Sequence, residues 1–274
     1  MIDHGTSLPP SRLAAIAVMA KAPEPGKVKT RLAPPLTPDE AVGLSRSFLR
    51  DVTENIALAA REAPIQGYVA YAPAGAEHLF DGVLACNTRL VLADGTIETP
   101  PRVHGFGRSL LHAARGLFAR GHRSVCLLNS DSPTLPTALL RHAALALAGA
   151  RDRVVLGPAE DGGYYLLGLK APHAHLFEDI RWSSEHVADE TCERANALGL
   201  EIVRLALWYD VDDRATLRRL IGEVAGAGRG ERNDAAPYAA PETAACVLRL
   251  NLAERFEVPD PAGVLHVSAD RVAS

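Results

Sequence analysis

Aromatic residues are scarce. Phe, Trp and Tyr together make up 5% of the 274 residues, which argues against a stacking platform for single-stranded nucleic acid. Positive charge is not in excess either: 29 Lys and Arg stand against 33 Asp and Glu, a formal net charge of −4. Without a general basic field the chain has nothing to hold a polyanion such as DNA, although a small phosphorylated ligand needs only a local basic site. The four cysteines, Cys86, Cys126, Cys192 and Cys246, are far apart and form no CxxC. That spacing argues against zinc and against a disulfide framework, and reads as reduced thiols in a cytoplasmic protein. No apolar run reaches the ~20 residues a membrane span needs. The first twelve residues, MIDHGTSLPPSR, lack a basic stretch followed by an apolar core and cleavage site, so no signal peptide is expected. No HExxH pair and no G-x-S-x-G elbow is present, so a zinc protease or a hydrolase triad has little support. What remains is 47% apolar and 23% charged, an ordinary globular composition at a length that suits one large α/β domain.

The pattern along the chain alternates. Short apolar runs at 13–19 (LAAIAVM), 66–71, 88–92, 124–128, 153–156, 164–169 and 201–207 read as strands. Between them, 37–60, 109–120, 137–148, 184–198 and 213–221 read as helices, and 242–255 as a last amphipathic one. The first helix has the clearest start: Thr37 as N-cap, Pro38 at the first helical position and Glu40 closing a capping box. Strands alternating with helices predict a mostly parallel sheet covered on both faces. The expected organisation is an N-terminal arm (1–12), a catalytic domain (13–225), a polar linker (226–241) and a C-terminal helix with a tail (242–274).

Ligands of such sheets bind outside the carboxyl ends of the strands, and four loops there carry unusual chemistry. The first holds Lys21, Gly26, Lys27, Lys29 and Arg31 directly after the first strand. Gly26 lets backbone N–H groups approach an anion, lysines supply point charges, and Arg31 offers a bidentate fork to phosphate oxygens. It is neither a Walker A loop nor a GxGxxG fingerprint, and Gly105-Phe106-Gly107 is only a weak GxG. In the second loop Asp131 stands just off the end of a buried strand, followed by Pro133 and Pro136, either as a turn former or as an oxygen ligand for a hard cation. The third, Asp161-Gly162-Gly163-Tyr164, suits a plain hairpin turn and a close approach to a ligand equally well. In the fourth, Asp210 and Asp212 would point the same way from an extended segment, while Asp213 is most simply an N-cap. Trp182-Ser183-Ser184 reads as a packed aromatic followed by helix capping.

These four motifs, in this order, resemble the radical-SAM/selenodomain-associated (arsenosugar-biosynthesis-type) transferases of the GT-A-like nucleotide-diphospho-sugar transferase superfamily. In motif style they are also similar to molybdenum-cofactor and phospholactate nucleotidyltransferases. The resemblance runs from about residue 16 to 221. It implies a GT-A-like (Rossmann-like) three-layer α/β sandwich. It further implies that Lys29 and Arg31 bind nucleotide phosphates, and that Asp131 and Asp212, assisted by Asp210, hold Mg²⁺ or Mn²⁺. Asp161, Gly162, Gly163 and Tyr164 would face the acceptor. The chain departs from the family pattern at Asp213-Arg214, where Thr-Pro is usual, and in the segment 102–108. The expected activity is transfer of a nucleotidyl group from a nucleoside triphosphate to a small phosphorylated metabolite, with Lys29, Asp131 and Asp212 at its centre. The alternative is glycosyl transfer from a nucleotide sugar to a small-molecule acceptor. A non-catalytic nucleotide-binding module is the third reading. Nucleic acid and membrane are not expected partners.

Overall fold

The computed structural model describes residues 13–226 and 236–258. The expected N-terminal arm, most of the expected linker and the tail after 258 lie outside the described residues. Seven strands form one sheet: β1 (Ala14–Lys21), β2 (Ile65–Ala72), β3 (Arg89–Leu92), β4 (Val125–Leu128), β5 (Arg153–Pro158), β6 (Tyr164–Leu169) and β7 (Glu201–Arg204). Their spatial order is β3-β2-β1-β4-β6-β5-β7. All run parallel except β6, which pairs antiparallel with both β4 and β5. The single reversal comes from the Asp161-Gly162-Gly163 segment, which folds as a hairpin turn between β5 and β6.

Helices α1 (Pro38–Ala59) and α3 (Thr137–Ala148) cover one face of the sheet; α2 (Phe106–Ala119) and α4 (Val187–Ala197) cover the other. The central strand β1, AAIAVMAK, is buried over its first five residues, as a run of small apolar side chains between two helical layers must be. The α1 capping box forms as the sequence predicts, with Thr37 Oγ1 accepting from Glu40 N (3.2 Å) and Glu40 Oε2 from Thr37 N (2.8 Å).

A third core lies beside the sheet, where the outer side of α1 meets α5 (Arg214–Gly226), α6 (Pro241–Arg249) and α7 (Leu252–Arg255). Its link to α1 is polar as well as apolar: the buried Asp51 carboxylate accepts from Glu242 N (3.1 Å) and Thr243 N (2.6 Å) at the start of α6. Two backbone donors that the helix itself leaves unpaired thus find an anion, which the helix dipole also favours. The C-terminal helices therefore share a core with α1 and α5.

Several boundaries move relative to the pattern. Helix α5 runs on to Gly226, past the expected 221, and the expected last helix 242–255 breaks into α6 and α7, where Asn251 has a left-handed backbone (φ 52°). Helix α2 starts at Phe106, three residues before its apolar spacing becomes clear. Helix α4 starts only at Val187, because Ser183 adopts a left-handed backbone (φ 65°) and Ser184 Oγ donates to Arg181 O (2.7 Å) instead of capping the helix. Strand β7 stops at Arg204, short of 207. All four cysteines are free thiols, three of them buried. Among the described residues no helix is long and apolar enough to cross a membrane.

Candidate functional site

Because β1, β4, β5 and β7 share one direction, the loops that follow them emerge on the same edge of the sheet. Backbone bonds then stitch those loops together. Val211 N donates to Asp131 O (2.9 Å) and Glu160 N to Trp208 O (3.0 Å); Ser132 Oγ donates to Tyr209 O (2.9 Å). Asp131 and Asp212 are thereby brought to one point.

At that point sits Lys29. Its backbone is left-handed (φ 49°), and its side chain is only 7% exposed. The ammonium donates to Val211 O at 2.6 Å, lies 2.7 Å from Asp131 Oδ1 and 3.5 Å from Asp212 Oδ1, and rests over the Phe48 ring at 5.2 Å. Ser130 Oγ adds a bond to Asp131 Oδ1 (2.8 Å). Arg31, 72% exposed, reaches Asp212 Oδ2 only at 3.8 Å. Lys27 is exposed and paired with Glu24 (2.9 Å), while Gly26 holds the loop at φ 72° with open space around it.

These residues border an open cleft of about 670 Å³. Lys21, Lys27, Lys29, Arg31, Asp131, Asp161 and Asp212 all line it. The second half of its wall was not legible in the sequence: Phe106 and Ser109 at the start of α2, and the segment from Ser183 to Glu185. Phe106 is 48% exposed. Trp182 packs edge-on against it (5.7 Å between centroids), and a Cβ on Gly107 would lie 2.9 Å from the Trp182 ring. The two glycines around Phe106 were the available signal.

Of the four residues expected to face a second substrate, Asp161 borders the cleft, with Oδ1 accepting from Gly163 N (2.8 Å). The other three do different work. Gly162 (φ 87°) brings the turn so close to the next loop that a Cβ would stand 2.1 Å from Glu185 O. Gly163 completes the turn, and Tyr164 packs against the core under α2 and α4, where burial pushes its hydroxyl pKa up.

The carboxylates repel one another. Asp210, half-buried, has its pKa pushed up to about 7, first by burial and then by the charges of Asp161, Asp212 and Asp131. Burial and Asp131 also raise Asp212, against the pull of Lys29 and Arg31. Asp213 behaves as the N-cap the sequence suggests, accepting from Thr216 N (2.8 Å), and that bond lowers its pKa. Asp210 gives a stability prediction. Its ordinary value is 3.8, so between 3.8 and about 7 the unfolded chain has lost a proton that the native state keeps. The contribution of Asp210 to stability then falls as pH rises through that window. In urea unfolding across it, the wild type should lose stability relative to Asp210→Asn. Equal slopes in the two proteins would contradict the assignment.

As to a metal, the donors that converge here are two carboxylate oxygens and one carbonyl oxygen, all hard. Mg²⁺ is commonly held by one or two carboxylates, with water and substrate phosphates completing the shell, so the residues fit such an ion. Among the described residues, no group of three or more His, Cys, Asp and Glu is placed to hold a metal unaided.

Residues 55–184 match the profile of a family described as uncharacterized proteins conserved in bacteria (DUF2064). No curated protein matches the chain. Among solved structures, a protein from Desulfovibrio desulfuricans G20, described provisionally as a nucleotide-diphospho-sugar transferase, is 27% identical. That match covers 89% of this chain and 96% of the other, with a TM-score of 0.69. A cytidylyltransferase from Leptospira borgpetersenii is 9% identical over 89% of this chain and 95% of its own, at a TM-score of 0.48. A CMP:2-keto-3-deoxy-manno-octonic acid synthetase complexed with CTP is 13% identical over 76% and 96%, at 0.47. The last two are too remote to bear on chemistry. The fold is that of the GT-A-like nucleotide-diphospho-sugar transferases.

Proposed function

We propose that the protein is a divalent-metal-dependent nucleotidyltransferase. A phosphate oxygen of a small phosphorylated metabolite attacks the α-phosphorus of a nucleoside triphosphate; the bond from that phosphorus to the bridging oxygen of the β-phosphate breaks, and pyrophosphate leaves. The observation that carries this reading is the convergence of Asp131 and Asp212 with the Lys21–Arg31 cations on one open cleft at the strand ends. Phosphoryl-type transfer asks mainly for positioning and charge neutralisation. Lys21, Lys27 and Arg31, which line the cleft, would meet the β- and γ-phosphates, and Lys29 would reach them on leaving its acidic partners. Asp131 and Asp212 would hold Mg²⁺ or Mn²⁺, with Asp210 beside them; bound there, the ion supplies Lewis-acid charge to phosphate oxygens. Membership of the radical-SAM-associated subfamily and a cytoplasmic location belong to the same proposal.

A second reading, glycosyl transfer, is favoured by the description of the Desulfovibrio protein. In it Asp161 activates the acceptor hydroxyl and a nucleoside phosphate leaves. Labelled donors separate the two. Incubation with each triphosphate and phosphorylated acceptors from a cell extract should release pyrophosphate only when metal is present. Sugar transferred from an intact nucleotide sugar, with no pyrophosphate from any triphosphate, would establish the second reading.

The basic loop has its own test. Lys21→Ala and Arg31→Ala should each weaken triphosphate affinity about tenfold, which is about 1.4 kcal/mol and the low end for a charge-assisted contact because Arg31 is exposed. The loss should shrink in high salt, where screening has already weakened the wild type. Titration by thermal shift reads both effects, and unchanged affinity in both variants would remove the loop from the site.

A further inference from the structure

The Lys29 ammonium has three protons and three oxygen partners: Asp131 Oδ1, Val211 O and, more distantly, Asp212 Oδ1. This donor set, two carboxylates and a carbonyl around one point, is that of a divalent-cation site, and a cation already stands in it. The position is built. The left-handed backbone at Lys29 aims the side chain inward, Phe48 lies against the charge, and Ser130 supports the carboxylate it pairs with. The exposed cations of the same loop are held differently: Lys27 pairs with Glu24 at the surface (2.9 Å), and Arg31 stands 3.8 Å from Asp212.

We propose that Lys29 is the resident cation of the acidic pair, and that it bars free divalent metal until nucleotide phosphates draw the ammonium outward. Lys29 exchanges one set of anionic oxygens for another, so its charge stays paired in both states. Metal and nucleotide consequently enter together, and the empty enzyme ignores free metal. The inference rests on the assignment of Asp131 and Asp212 as the metal pair.

Mn²⁺ binding, read by the loss of its free-ion electron paramagnetic resonance signal, tests this without turnover. Wild-type protein alone should take up little Mn²⁺, and adding a mixture of the four ribonucleoside triphosphates should produce protein-bound Mn²⁺ beyond what the nucleotides alone chelate. Lys29→Met and Lys29→Gln, two neutral replacements of similar length, should bind Mn²⁺ without nucleotide at least tenfold more tightly than wild type. Thermal unfolding checks that they are folded. Wild type binding Mn²⁺ alone as tightly as with nucleotide overturns the resident-cation role, and does so even if neither variant folds. Folded variants no tighter than wild type overturn it as well, and both results leave the nucleotidyl-transfer reading standing. Absence of bound Mn²⁺ in every protein, with or without nucleotide, overturns both.

Discussion

Asp131→Asn should lower turnover roughly 10²–10³-fold, the scale of removing one preorganised electrostatic group from an active site, while leaving the protein folded. The substitution keeps the shape of the side chain and removes only its charge. Asp131 is partly exposed (29%), and its charge raises both Asp210 and Asp212. Losing it relieves repulsion as well as breaking the bond with Lys29, so the melting temperature should change little. The Asp210 pKa should also move down, because one of its repelling charges is gone. Metal-dependent product formation and thermal unfolding measured on the same preparation check the pair of expectations. Wild-type turnover in this variant would place the reaction elsewhere.

Gly162→Ala should cost stability and damage the cleft together. The position has φ 87°, and a Cβ would come within 2.1 Å of Glu185 O; the obstacle is backbone and cannot swing aside. A strained left-handed residue costs about 1–3 kcal/mol and overpacking adds a similar amount. The expected loss is roughly 2–6 kcal/mol, or a fall in melting temperature of about 4–12 °C for a chain of this size. The loop that must yield carries Ser183, Ser184 and Glu185, which form the cleft wall, so substrate KM should rise even where the protein remains folded. A variant that melts like wild type would mean that this loop is not packed as described.

The sequence made the sheet and the first half of the site legible for physical reasons. Strands buried on both faces read as unbroken apolar runs, and chemistry placed after a strand lies where parallel sheets bind ligands. Thr37, Pro38 and Glu40 announced α1 through strictly local bonds. Asp131 and Asp212 were legible as candidates because they follow strands of a parallel sheet, although turn formation and capping account for such carboxylates too. What escaped depended on contacts between distant segments. Nothing near Ser183 says that it faces a cleft, since its place is set by Gly162, which lies against Glu185 and whose carbonyl accepts from Ala188 N (3.0 Å). Nothing near Lys29 says that it turns inward to two aspartates; a lysine in a basic loop after the first strand reads as a phosphate contact until Val211 is located. Nothing in the sequence singles out Asp51 within the first helix, and its role emerges only once α6 arrives beside it. The reversed strand β6 was a matter of one turn, where Asp-Gly-Gly satisfied two interpretations equally.

The bond from Lys29 to Val211 joins residues 182 apart in the chain. A ribosome adding about 5–20 residues per second needs roughly 10–40 s to cover that distance. Through the later part of that interval the growing chain holds Asp131 but neither Val211 nor Asp212. The three-oxygen seat of the Lys29 ammonium is therefore completed only when the segment after the last strand has been made.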